Sequence, residues 1–205
     1  MFSKPLKSVT LIELIIAIIL LAVIILGVNN IGIFSRYQVV SSDRRAKLQN
    51  DVSRCLEHMT KYLSTAIGNE EVPLGEDTVV YFKENSPRTI LSVFTDANSN
   101  GLIDSGGADY WIGYKFDDST HKFTYCSQCQ NRACVACSVT EDALANNITA
   151  FSASKSGTPA NDFSKGNYIN LGLTACWDPA GSCNTPDNPS VTMSTSISLP
   201  SVATN

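Results

Sequence analysis

Three groups of residues in this chain have types and spacings that could do chemistry: an acid inside an apolar run, an oxygen-rich loop and seven cysteines. The acid is Glu13, which lies a few residues into a run of apolar side chains that extends to Val28. A run of this length suits a membrane-spanning helix. Because an ionised carboxylate is costly in hydrocarbon, Glu13 needs a cationic partner, and its presence there indicates a functional role.

The oxygen-rich loop begins at Asp96 and has the pattern of the first half of an EF-hand-type calcium loop. Alternate side chains of such a turn point inward and can surround one hard cation. Gly101 permits the turn, but Gly107 stands where a calcium loop has a bidentate acid. We therefore expect a weak calcium site, and the alternative is a solvated turn rich in Asn and Asp. The expected ligands are Asp96, Asn98, Asn100, the backbone carbonyl of Leu102, Asp104 and, as a substitute acid, Asp109.

Four cysteines form two CxxC pairs with four residues between them: Cys126, Cys129, Cys134 and Cys137. A hairpin centred on residues 130–133 would place Cys129 opposite Cys134 and Cys126 opposite Cys137, which predicts two disulfides in one register. A tetrahedral thiolate zinc site is the alternative, and four cysteines permit three connectivities. Seven cysteines in a short chain indicate an oxidising compartment, so we favour the disulfides over zinc.

The other three cysteines divide into a pair and a single residue. Cys176 and Cys183 enclose a short loop that contains proline and glycine, and we predict a disulfide that closes this loop. Cys55 lies on an apolar helical stripe and is expected to be a buried free thiol. The two histidines, His58 and His121, lack the sequence context of a nucleophile or a zinc cluster, and we expect both to be solvated.

The start of the chain resembles the type IV prepilins and the pseudopilins of type II secretion. Those families carry a short basic leader, then Gly-Phe-Thr-Leu-Ile-Glu, then a long apolar helix. Here Lys4 and Lys7 make the leader basic, and Thr10-Leu11-Ile12-Glu13-Leu14 matches the motif residue for residue. Ser8 and Val9 stand where the families have Gly and Phe. The resemblance covers the leader and the apolar run, and beyond them only the general architecture matches.

The resemblance implies that a prepilin peptidase cuts between Ser8 and Val9 and that the new amine of Val9 is methylated. It also implies that Glu13 pairs with the Val9 amine of a neighbouring subunit as a filament assembles. The expected partners are other pilin or pseudopilin subunits, the peptidase and the bacterial inner membrane. The precursor would cross that membrane once, with its globular domain outside the cytoplasm, before it enters a pilus or pseudopilus.

One long helix and a set of short strands must position these residues. Apolar residues recur at helical spacing from Leu48 to Ile67, so the helix should continue beyond the membrane segment and stop at Gly68. Glycines and asparagines near residue 30 could let it bend. We predict a helical turn at Glu141–Asn146. Runs of β-branched and aromatic residues predict strands at Thr78–Lys83, Thr89–Phe94, Tyr110–Phe116, Lys122–Cys126, Ile148–Ser154, Tyr168–Leu173 and Val191–Leu199.

The predicted fold class is α+β and pilin-like. One long N-terminal helix, with a transmembrane half and an amphipathic half, should pack on an antiparallel β-sheet. The expected segments are a leader at 1–8, a transmembrane or filament-core helix at 9–34, the amphipathic half of the same helix at 35–67 and a β-rich globular domain at 68–205.

Composition narrows the functional classes. The formal charge of −4 and the scattered basic residues do not suggest nucleic-acid binding. We expect no enzyme, since the sequence has neither a phosphate-binding glycine loop nor a nucleophile elbow. The sequence predicts a structural subunit, of the minor kind, in a type IV pilus or type II secretion pseudopilus. The alternative is a filament-tip binding or adhesin module on the same anchor.

Overall fold

The computed structural model describes residues 10–66, 80–85, 87–98, 109–155 and 168–199. The predicted leader and Val9 lie outside the described residues. Within these ranges the chain forms one α-helix and eight β-strands. They are α1 (Leu11–Leu63), β1 (Val80–Asn85), β2 (Arg88–Thr95), β3 (Tyr110–Asp117), β4 (Lys122–Cys129), β5 (Glu141–Ala145), β6 (Ile148–Lys155), β7 (Tyr168–Cys176) and β8 (Ser190–Ser198).

Helix α1 begins with a capping box formed by Thr10 and Glu13. The Glu13 backbone N–H donates to Thr10 Oγ1 at 3.4 Å, and the Thr10 backbone N–H donates to Glu13 Oε2 at 2.9 Å. These bonds satisfy backbone donors that have no partner within the helix. The glycines at 27 and 32 do not interrupt the helix. Its 53 residues span about 80 Å at about 1.5 Å per residue.

The predicted end of the helix at residue 67 is wrong, because α1 ends at Leu63. Ser64 and Thr65 bind carbonyls of the last turn: Ser64 Oγ donates to the Lys61 carbonyl at 2.9 Å, and Thr65 Oγ1 donates to that of Tyr62 at 2.7 Å. The chain then forms a bridge between Ala66 and Thr95, at the end of β2. Side-chain capping of the last carbonyls and this bridge end the helix before Gly68 is reached.

The C-terminal half of α1 is amphipathic, as the spacing predicted. Its buried residues are Leu48, Val52, Cys55, Leu56, Met59 and Leu63. This stripe packs against β5, β7 and β8.

The strands form two antiparallel sheets rather than the single predicted sheet. In the described residues, a five-stranded sheet has the order β1-β2-β3-β4-β5, and a three-stranded sheet has the order β6-β7-β8. The chain passes from one to the other through Asn147, whose φ of 64° is left-handed. The Ile148 N–H then donates to the His121 carbonyl at 3.0 Å, which directs β6 away from the first sheet.

The predicted helical turn at Glu141–Asn146 is also wrong, since β5 occupies this segment. Its register pairs Glu141 with Cys126 and Asp142 with Tyr125 on β4. Backbone hydrogen bonds to β4 therefore outweigh the local helical preference of the sequence Glu-Asp-Ala-Leu-Ala.

The core lies between the two sheets and the C-terminal half of α1, and β2 is buried on both faces. Leu91 and Val93 belong to the main core. Ile90, which points to the opposite face, packs in a second cluster with Cys126, Cys129 and Cys134. Because that face lacks a second sheet or helix among the described residues, the cysteine-rich loop covers it.

Candidate functional site

The N-terminal half of α1 presents a continuous apolar surface. Large apolar side chains between residues 11 and 40 are 47–77% exposed. Within the described residues, α1 is long and apolar enough to cross a membrane, with a mean hydropathy of 3.3 over its most apolar 18-residue window. Exposed apolar area on this scale indicates that the segment is covered by lipid or by other protein chains.

Glu13 lies at the first turn of this apolar surface. Its carboxylate accepts hydrogen bonds from the Thr10 N–H at 2.9 Å and from Thr10 Oγ1 at 3.0 Å. Among the described residues it has no ion-pair partner. The local chain therefore satisfies the hydrogen bonding of Glu13 but not its charge. The predicted processing residues Ser8 and Val9 lie outside the described residues.

The described part of the oxygen-rich loop contains three of the six predicted calcium ligands. The carboxylate of Asp109, which is 7% exposed, accepts a hydrogen bond from the Ala97 N–H at 3.1 Å. This bond joins the two ends of the loop, so Asp109 lies beside the segment that carries Asp96 and Asn98. The other three predicted ligands, Asn100, Leu102 and Asp104, lie outside the described residues.

The CxxC pairs form two nested disulfides, Cys126–Cys137 with Cα atoms 5.8 Å apart and Cys129–Cys134 with Cα atoms 4.9 Å apart. The predicted hairpin register is wrong, because the backbone of Cys129 bridges that of Cys137 rather than that of Cys134. The connection is therefore longer than four residues, and Cys134 adopts a left-handed φ of 46° within it. Cys134 thus bonds to Cys129 from inside the loop.

The same four cysteines were the alternative ligands of a predicted zinc site. The sulfur atoms of Cys126, Cys129 and Cys134 all lie within 4.8 Å of one another, which is a metal-like cluster. All three sulfurs are bonded in disulfides, however, and a zinc site requires thiolates. The paired form of this loop offers no thiolate ligand set.

The loop that carries the two nested disulfides packs closely onto β3 at Gly113, a position that the sequence alone did not indicate. A methyl group on Gly113 would lie 2.9 Å from Cys129 Sγ and 2.9 Å from the Cβ of Cys134. Ser92 Oγ donates to the Arg132 carbonyl, and the Arg132 guanidinium lies 5.7 Å from the ring centre of Tyr81. These contacts fix the loop against the second face of the five-stranded sheet.

The third disulfide, Cys176–Cys183, closes the predicted surface loop, with Cα atoms 5.8 Å apart. The Arg44 guanidinium lies 5.4 Å from the ring centre of Trp177, and Arg44 also donates to the Asp187 carbonyl. This loop is therefore docked on α1 just beyond its apolar half. Trp177 packs against the core and is only partly exposed, so it is not a free contact residue.

Cys55 is a buried free thiol, as expected from its place on the helical stripe. Burial raises its pKa to about 12, with a smaller contribution from Asp51. A thiol of this kind stays protonated and unreactive at neutral pH.

The prediction that both histidines are solvated is wrong. The ring of His58 packs against Tyr62, Tyr114 and Tyr125, with centroid distances of 4.6, 5.9 and 4.6 Å. Tyr114 Oη lies 3.1 Å from His58 Nδ1 and 3.3 Å from the His58 carbonyl, so both the ring and the backbone of His58 contact this hydroxyl. The His121 side chain is also partly buried. Helical spacing alone placed His58 beside the apolar stripe, but two of the three tyrosines that pack on it, Tyr114 and Tyr125, come from distant strands.

Sequence reasoning also missed an ion pair between a buried lysine of β3 and an exposed glutamate of β5. Lys115 is 7% exposed, and its Nζ lies 3.1 Å from Glu141 Oε2 and 3.7 Å from Cys137 Sγ. Burial works to raise the pKa of Glu141, but the hydrogen bonds from Thr124 and Lys115 outweigh it and lower that pKa overall. The lysine in an otherwise apolar strand was the signal that could have indicated this pair.

Comparison with known proteins assigns a fold but no family. No protein-family model matches the sequence, and no curated protein matches it. Among solved structures, a type IV-like pilin from Thermus thermophilus matches with a TM-score of 0.50 and 11% identity, over 77% of this chain and 99% of that chain. The two chains share a pilin-like α+β fold, in which one long N-terminal helix packs on antiparallel sheets. Identity this low supports the fold alone.

Proposed function

We propose that this protein is a structural subunit, of the minor kind, of a type IV pilus or a type II secretion pseudopilus. The observation that carries the proposal is the apolar surface of α1 between residues 11 and 40. The globular domain covers only the other half of the helix. Burying one large aliphatic side chain contributes about 1.5–3 kcal/mol, so this surface is stable only in a bilayer or against other copies. The pilin-like fold supports burial of this surface against other copies.

In the proposed assembly, the subunit begins as a single-pass precursor in a bacterial inner membrane. A prepilin peptidase cuts it between Ser8 and Val9, and the Val9 amine is methylated. The helices then leave the bilayer and pack against each other, so apolar contacts with lipid are exchanged for contacts between subunits. The cost of this exchange is small because hydrocarbon and aliphatic side chains are equally apolar.

Glu13 supplies the axial register in this proposal. Its carboxylate is hydrogen-bonded by Thr10 but has no counter-ion within the described residues. A charge in an apolar filament core is stabilised only when an opposite charge is close. The Val9 ammonium of an adjacent subunit meets this need at one axial offset, so pairing would select that offset over others. The proposal requires no catalytic residue.

We also propose that the loop starting at Asp96 binds calcium weakly. The bond between the Ala97 N–H and Asp109 supports it, because this bond brings an acid from beyond the loop next to Asp96 and Asn98. Carboxylate and amide oxygens are the ligands that calcium prefers. Calorimetric titration of the full chain with calcium should show saturable heat that Asp96→Ala reduces. Equal heats for both proteins would contradict the proposal.

Mass analysis of the N-terminus of the mature chain tests the proposed function. We expect a chain that begins at Val9 with one added methyl group when the protein is made together with a prepilin peptidase. The matched control is the same expression without the peptidase, which should retain the leader. A chain that is not shortened in either case would contradict the proposed route of assembly.

Display of a binding surface on the same anchor is the second candidate. Val135 and Val139 favour it, because they are 66% and 54% exposed, the first on the loop held by two disulfides and the second two residues beyond Cys137. Replacing both with serine should then abolish adhesion and leave filaments intact. Adhesion that persists, or filaments that are lost, would count against this candidate.

A further inference from the structure

The nested disulfides place four sulfur atoms together, and only one belongs to a residue that solvent reaches appreciably. Cys126 and Cys134 are fully buried, and Cys129 is 6% exposed. Cys137, the partner of Cys126, is partly exposed. A thiol from solution can therefore reach this group of sulfurs at Cys137, whereas the Cys129–Cys134 disulfide is shielded.

We propose that Cys137 is the site of attack by an external thiol, such as that of a dithiol oxidoreductase, and that Cys126 passes the exchange on to the buried Cys129–Cys134 disulfide. The proposal rests on exposure and on proximity. Cys126 Sγ lies within 4.8 Å of the sulfurs of both Cys129 and Cys134, so it needs little movement to react with either. The proposed thiol exchange does not depend on the proposed filament function.

The exchange has two steps. In the first, an external thiolate attacks Cys137 Sγ, and the bond between Cys137 and Cys126 breaks. The external thiol stays on Cys137 as a mixed disulfide, and Cys126 leaves as a thiolate. In the second, the Cys126 thiolate attacks Cys129 or Cys134, forms a disulfide with it and releases the other as a thiolate, which takes a proton from water. One external thiol is consumed, one protein thiol is formed and no oxidant is needed.

The surroundings of the sulfurs favour this order of events. A thiolate on Cys126 has the sulfurs of Cys129 and Cys134 within 4.8 Å, so it can attack their disulfide without leaving the buried cluster. Lys115 Nζ lies 3.7 Å from Cys137 Sγ and attracts an incoming thiolate. Glu141 Oε2 lies 3.9 Å from the same sulfur and offsets part of this attraction. Removing the charge of Glu141 should therefore accelerate the first step.

The chain contains its own control in the Cys176–Cys183 disulfide. Cys183 is exposed and Cys176 is fully buried, so this pair has the same asymmetry of access. Among the described residues, it has no third cysteine sulfur within 4.8 Å of both of its sulfurs. Attack on Cys183 should therefore leave the freed thiol on Cys176, with no second step.

The test is limited reduction of the full chain in detergent micelles with reduced glutathione. After an acid quench, the chain is unfolded, alkylated with N-ethylmaleimide and mapped by peptide mass analysis. We expect glutathione on Cys137 with the alkyl label on Cys129 or Cys134, and, in the control loop, glutathione on Cys183 with the label on Cys176. Label retained on Cys126 would overturn the second step, and glutathione first on Cys129 or Cys134 would overturn the first.

Two variants test the two steps separately. Glu141→Gln should raise the rate of glutathione addition to Cys137 several-fold and leave the rate at Cys183 unchanged; an unchanged rate at Cys137 would overturn the opposing role given to Glu141. In a chain with Cys129→Ser and Cys134→Ser, the label should stay on Cys126, and label elsewhere would overturn the relay. If this double variant does not fold, the wild-type map still decides the proposal.

Discussion

Replacing Gly113 with alanine should destabilise the domain, because the added methyl group meets a disulfide that cannot move aside. That methyl group would lie 2.9 Å from Cys129 Sγ and from Cys134 Cβ, and closer still to Cys134 Sγ. Overpacking of this kind costs about 1–3 kcal/mol. For a chain of this size, 1 kcal/mol corresponds to about 2–4 °C in Tm, so we expect a fall of about 2–12 °C. Thermal unfolding followed by circular dichroism in micelles measures it.

Gly172→Ala is the matched control, since Gly172 also lies within a central strand. Its added methyl group would meet only Ser152 Oγ, at 2.7 Å, and this exposed side chain can rotate away. We expect a change within about 1 kcal/mol, because alanine also restricts the unfolded chain. Gly113→Ala should cost less in a chain with Cys129→Ser and Cys134→Ser. Equal effects at the two glycines, or an equal cost of Gly113→Ala in both backgrounds, would refute the reasoning.

Three further predictions concern α1. Burial, together with Lys61 and Arg54, lowers the pKa of His58. The folded state then binds fewer protons than the unfolded state, so stability should fall as the pH drops through about 6.5, and His58→Gln should flatten this dependence in unfolding titrations. Met59→Ala should cost about 2–5 kcal/mol in the same assay, whereas Leu20→Ala, in the exposed apolar half, should leave unfolding of the domain unchanged. Cys55 should resist N-ethylmaleimide in the native state at neutral pH and react only after unfolding; rapid native labelling would show that the stripe is open.

The long helix and most strands could be predicted from sequence because their signals are local. An apolar run followed by a stripe at helical spacing defines α1, a run rich in β-branched residues defines β2, and alternation of apolar with polar or small residues defines β7. The capping box is equally local, since Thr10 and Glu13 are one helical turn apart. These features depend on neighbours in the chain, so a single sequence contains them.

The errors arose where distant contacts decide the structure. The pairing of Glu141 with Cys126 turns a segment of helical composition into a strand. A left-handed residue at Asn147 divides the strands between two sheets, and composition does not show this division. His58 is covered by tyrosines from β3 and β4, which no helical periodicity reveals.

The candidate sites show the same contrast. Glu13 stood out because an acid in an apolar run is unusual, and the cysteine spacing indicated nested pairs, although the backbone register differs from the predicted one. The ion pair of Lys115 with Glu141 joins strands that are not neighbours in the sheet, so only the fold reveals it. Its position beside Cys137 could not be inferred from spacing in the sequence.

Incorporation of a Glu13→Ala chain into filaments tests the central claim most directly. The measurement is the amount of this protein in filaments sheared from cells that assemble them, normalised to the amount in the membrane. Glu57→Ala is the matched control, because Glu57 is an exposed acid on the same helix. We predict that Glu13→Ala removes the protein from the filament fraction while its membrane amount and its disulfides are retained, and that Glu57→Ala has no effect. Normal incorporation of the Glu13→Ala chain would contradict the proposed assembly.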